Sequence, residues 1–176
     1  SRIAPGADHA QHMTTHIFLA LGMWPEVVQQ NIVASGPDSS QWRPDHYTSW
    51  LQYGLLQEAR YADARRLIEL TRANMGTQGR PGNRAYLVLM RAQQVIDAEE
   101  WNDPVLKWTT DTVGLGTAPQ AIEIFTTGFA AYKRGRFSPM TTMWSSCFRP
   151  AAARPQAISR TSRARSLQLS VCQMPY

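Results

Sequence analysis

Apolar positions recur along the first 137 residues at helical spacing, in blocks that short turns separate, and the every-other-residue alternation of strands is absent. The first block, Ile17-Phe18-Leu19-Ala20-Leu21, stops at Gly22, a residue that tolerates the left-handed backbone of a helix end. Pro25 then suits a first helical turn and Glu26 its positive end, with Val27, Val28, Asn31, Ile32 and Ala34 following at helical spacing. Trp50, Leu51, Tyr53, Gly54 and Leu55 make a third stripe. Ala64, Leu67, Ile68 and Thr71 make a fourth, with Arg65, Arg66, Glu69 and Arg72 on the wet side. A fifth helix is predicted through Ala85, Leu87, Val88, Met90, Ala92, Val95 and Ile96. Asp103-Pro104 opens a short sixth, and Pro119 opens a seventh through Ile122, Phe125, Phe129 and Tyr132.

The turns repeat. Leu21-Gly22-Met23-Trp24, Glu58-Ala59-Arg60-Tyr61, Glu99-Glu100-Trp101 and Arg134-Gly135-Arg136-Phe137 place an aromatic ring at 24, 61, 101 and 137, spacings of 37, 40 and 36. Glu26, Asp63 and Asp103 follow the first three rings by two positions. A helix pair cannot bury its whole apolar stripe alone, so successive pairs must dock on one another. The rings are expected to be core, wedged at each turn, while small residues such as Ala64 let backbones approach.

These residues resemble tetratricopeptide repeats. More narrowly, His9-Ala10-Gln11-His12-Met13-Thr14-Thr15-His16-Ile17-Phe18, followed by Leu21-Gly22-Met23-Trp24 and Asn31, is similar to a group of bacterial tetratricopeptide-repeat proteins with a His-Met-x-x-His-Ile-aromatic motif. Trp50-Leu51-Gln52-Tyr53 with Gln57, Arg60-Tyr61 and Ala64-Arg65 looks like the next repeat of that group. The resemblance spans about residues 5–137, and members of the group are usually longer, so the chain reads as a fragment. The expected fold is all-α: a right-handed α-solenoid of about three and a half hairpins over residues 1–137.

Composition changes this picture at one place. The net charge of +5 is split: all 13 acids lie between Asp8 and Glu123, whereas residues 124–176 carry eight of the 18 basic residues and no acid. Apolar periodicity ends there too, in a tail broken by Pro139, Pro150, Pro155 and Pro175. Residues 138–176 are read as a non-repetitive basic tail, with an out-of-frame translation, a disordered segment and a distinct folded element as the three alternatives. Nucleic acid would have to bind through this tail alone, and an uncapped last hairpin invites self-association. No apolar run reaches the length of a membrane span and no signal-peptide pattern opens the chain, so a soluble protein without membrane insertion is expected. Cys147 and Cys172 are too few for a disulfide framework or a four-cysteine zinc site.

All four histidines lie near the N-terminus. His9, His12 and His16 share one helical face within roughly 60°, and His46 follows Asp45 ahead of the third stripe. His12 and His16, four apart, can grip one ion as in helical zinc sites. A third ligand would come from His9 or Asp8, or from Asp45 or His46 on the next repeat. Met13 stands where a His-Glu-x-x-His protease carries its glutamate, so a metal here would lack that general base. Two functions follow. The preferred one is protein or peptide binding along the concave face without a cofactor, the contacts being His9, His12, His16, Asp45, His46, Thr48, Gln52, Arg91 and Gln93, and no catalysis. The alternative is a divalent transition metal such as zinc, or a metal-dependent enzyme, centred on His12 and His16 with His9, His46 and Asp45 as further ligands. Trp42, Tyr47 and Trp50 read as packing or as a ligand platform, and Asp97, Glu99, Glu100 and Asp103 as a solvated acidic turn. Phosphate-loop, dinucleotide and hydrolase-elbow motifs are missing.

Overall fold

A computed structural model describes residues 7–77 and 79–135; the expectations for the tail fall outside them. The described residues are all-helical, without strands, and comprise α1 (Asp8–Ala20), α2 (Trp24–Ala34), α3 (His46–Gln57), α4 (Tyr61–Met75), α5 (Pro81–Asp97) and α6 (Thr117–Lys133). Single 3-10 turns occupy Ser39–Gln41 and Pro104–Lys107. Each helix packs on the next, and α3 also packs on α5. No described helix is long and apolar enough to cross a membrane.

The punctuation seen in the sequence is a backbone fact. Gly22, Ala59, Glu99 and Gly135 have φ of 69°, 55°, 52° and 70°, each two positions ahead of an aromatic of the repeat. At the first two turns the chain closes with paired bonds, Met23 N–H to Phe18 O (2.9 Å) with Gly22 N–H to Leu19 O (3.0 Å), and Arg60 N–H to Leu55 O (2.9 Å) with Ala59 N–H to Leu56 O (3.0 Å). These reversals satisfy carbonyls that the helix ends leave free and set the next helix off antiparallel. The turn is therefore set by geometry, and only two of its four occurrences use glycine.

The three described rings, expected to be core, are half-buried and pack at the edge of it, and Phe137 lies outside the described residues. Trp24 meets Tyr53 of α3 edge-on at 5.9 Å, Trp101 meets Phe129 of α6 edge-on at 5.4 Å, and Tyr61 lies against the first core cluster. That cluster joins α2, α3 and α4 through Val28, Leu51, Leu55, Leu56, Ala64 and Leu67. A second joins α4, α5, the Pro104–Lys107 turn and α6 through Ile68, Leu87, Met90, Val95, Val105 and Ala130. Burying each such aliphatic chain contributes roughly 1.5–3 kcal/mol. Gly54 lets α3 approach α2 closely, since a Cβ there would stand 2.9 Å from Val28 Cγ2.

The third hairpin departs from the other two. Its second arm, expected as a short helix from Asp103-Pro104, is one 3-10 turn, and an irregular stretch from Trp108 to Gly116 carries the chain to α6. Nor is Asp103 part of a solvated acidic turn. It is 3% exposed, accepts from Val105 N–H at 2.9 Å and pairs with Arg65 Nε at 2.9 Å, while Glu100 pairs with the same arginine.

Candidate metal centre

Helices α1 and α3 carry the site, and α2 and α5 hold it from behind. His12 and His16 stand one turn apart on α1. His46 is the first residue of α3, a position fixed by a capping box in which Asp45 Oδ1 accepts from Thr48 N–H (3.0 Å) and Thr48 Oγ1 accepts from Asp45 N–H (3.0 Å). The imidazole of His12 lies 5.1 Å from that of His16 and 4.4 Å from that of His46, ring centre to ring centre. One nitrogen from each of the three lies within 4.8 Å of the others, close enough for a small movement of the rings to bring all three onto one ion at the usual metal–nitrogen distance. Burial grades outward, with His12 fully buried, His16 half-buried and His46 exposed, so the group opens to solvent on the His46 side.

His12 is held ready as a ligand. Asn31 of α2 donates from Nδ2 to Val27 O at 2.9 Å, which turns its Oδ1 toward His12 Nδ1 at 2.9 Å. Nδ1 therefore carries the proton and donates, and the lone pair resides on Nε2. That Nε2 is buried without a hydrogen-bond partner among the described residues. An orphaned polar atom in the interior costs about 1–3 kcal/mol, and such atoms mark sites with a use for them. His46 Nδ1 lies 3.2 Å from Tyr86 Oη of α5; in the tautomer that frees Nε2, Nδ1–H donates to the phenol oxygen. Both contacts are of the kind that orients metal-binding histidines from behind.

The electrostatics favour neutral rings at His12 and His46. Burial pushes the His12 pKa below the ordinary 6.5, helped by His46, His16 and His9 and opposed by the Asn31 hydrogen bond. Partial enclosure and His16 do the same for His46 against the pull of Asp45. The hydroxyl of Tyr86 is pushed up, first by burial and then by Asp45, which keeps it a neutral phenol. Aromatic walls complete the surroundings: Trp50 lies 4.4 Å from His16, 5.1 Å from His12 and 5.9 Å from His46, and Tyr47 lies 5.1 Å from His12.

The other expected site residues are placed elsewhere. His9 is exposed, 6.4 Å ring to ring from His12, and stands outside the converging set. Asp45 is occupied as the cap of α3. Thr48, Gln52 and Arg91, expected to line an open groove, are buried and spent on internal bonds. Thr48 Oγ1 donates to Arg43 O (2.7 Å), and Gln52 Nε2 donates to Met90 O (3.0 Å), tying α3 to α5. Arg91 donates from Nε to Val105 O (3.0 Å) and pairs with Glu123 Oε2 of α6 at 2.9 Å. Gln93 is half-buried on α5. Sequence reasoning singled out neither Asn31 nor Tyr86 for the site. The signal for Asn31 was a polar residue inside the apolar stripe of α2; for Tyr86 there was none, because the register of α5 against α3 is set by tertiary packing.

Comparison with known proteins finds no matching family model, no matching curated protein and no matching solved structure.

Proposed function

We propose that this chain is a transition-metal-binding helical-repeat protein whose ion is held by His12, His16 and His46. The observation that carries the reading is the buried, unpartnered Nε2 of His12, its lone pair fixed by the Asn31 bond to Nδ1, in a residue that belongs to a group of three close histidines. Three imidazoles suit zinc, copper or nickel. Metal binding gives the orphaned nitrogen the partner it lacks. Among the described residues no aspartate or glutamate joins the group, Met13 sits where a hydrolytic glutamate would, and Asp45 is committed to its cap. The site is thus suited to holding an ion and has no general base for hydrolysis.

The solenoid reading remains our proposal for the architecture, supported by the four left-handed positions at repeat spacing and by the docking of each helix on the next. A peptide groove through Thr48, Gln52 and Arg91 has less behind it, because those side chains face inward. Calorimetric titration with zinc chloride at pH 7.5 tests the function. One equivalent is expected to bind, with loss of at least a hundredfold in affinity in His12→Ala and His46→Ala; binding unchanged in both variants would refute the site.

A further inference from the structure

A cation at this site would meet opposite charge only from outside the donor set, where Asp45 acts on His46 and Tyr86 and Asp8 acts on Tyr47. The donors are three imidazoles, and among the described residues neither a carboxylate nor a thiolate belongs to the group. The walls are aromatic, with the Trp50 indole beside all three imidazoles and Tyr47 beside His12 and His46. The cost of moving an ion out of water grows as the square of its charge, so a dication bears about fourfold the penalty of a monocation of similar size. Aromatic faces also attract a cation they touch, most strongly when it is poorly hydrated. Zinc completes four-coordination with a solvent ligand, whereas monovalent copper is content with three nitrogens.

We propose, resting on the metal-binding reading, that the triad is a site for monovalent copper, held by His12, His16 and His46 with the indole of Trp50 alongside. Nothing in the arrangement requires a fourth donor from the chain, which accounts for Asp45 being used as a helix cap and for His9 standing apart.

The test is an anaerobic competition of the full chain against bicinchoninate for Cu(I), beside a zinc titration against a chromophoric chelator. A dissociation constant for Cu(I) at least a hundredfold below that for Zn(II) is expected. Trp50→Leu is expected to narrow that ratio about tenfold by weakening Cu(I) more than zinc. Trp50→Phe, which keeps a ring, should hold most of the preference and guards against a folding defect in the leucine variant. Zinc binding as tightly as Cu(I), with both dependent on His12, would overturn the copper assignment and leave the metal site standing. Neither metal depending on His12 would overturn both.

Discussion

Asn31 offers the sharpest single perturbation, because it touches the site only through His12. Asn31→Ala removes the acceptor at 2.9 Å that fixes the proton on His12 Nδ1, in a position with no exposure. Freed of that bond, the ring can place its proton on Nε2, which blocks the metal. Loss of such an orienting contact lowers metal affinity about 10- to 100-fold, or about 1.4–2.7 kcal/mol. The apo protein loses a buried hydrogen bond as well, with the His12 donor left unpaired, for about 1–3 kcal/mol of folding stability. Asn31→Asp separates the two effects. The carboxylate still accepts from Nδ1–H and strengthens the ligand, so zinc affinity is expected to equal or exceed that of the parent chain even where the apo protein is less stable. Calorimetric zinc titrations and thermal melts of the three proteins provide both readouts. Equal zinc affinity in Asn31→Ala and the parent chain would refute the preset-tautomer argument.

Titration of the apo protein should reveal the neutral histidines. His12 and His46 have folded pKa values below 6.5, so the unfolded chain binds more protons than the native one between those values and 6.5, and stability falls as pH drops through that window. Melts are expected to be flat above about pH 7.5 and to decline toward pH 5, with a shallower decline in His12→Ala; a pH-independent midpoint would contradict this. At the repeat turns, Gly22→Ala should cost about 1 kcal/mol, while Ala59→Gly, at a φ of 55°, should cost nothing or stabilise by up to about 1 kcal/mol. Stabilisation by Gly22→Ala together with destabilisation by Ala59→Gly, read by urea unfolding, would refute the shared left-handed turn. Arg91→Met leaves Glu123 without its cation at the α5–α6 contact and is expected to cost about 3 kcal/mol, with Glu123→Gln in the same chain restoring part of the loss.

Local signals carried most of the fold. Helix ends at residues 22, 59, 99 and 135 were legible from aromatic spacing alone, because the reversal and the ring serve one purpose: closing a hairpin and filling its wedge. Asp103 was misread because a carboxylate among other acids looks solvated, whereas Arg65, nearly forty residues away, neutralises it. The same limit governed the site. The shared face of His12 and His16 follows from helical geometry, but the choice of His46 over His9 as third donor depends on how α3 lies against α1. Gln52 and Arg91 looked like groove residues because long polar chains usually face water. Here each bridges adjacent helices by donating to a backbone carbonyl, a partner no pattern of side chains announces.

X-ray absorption at the metal edge of the loaded protein tests the central claim most directly. The account predicts three imidazole nitrogens at about 2.0 Å, the usual metal–histidine distance, and the loss of one in His46→Ala. A shell of oxygen donors, or one imidazole alone, would contradict it.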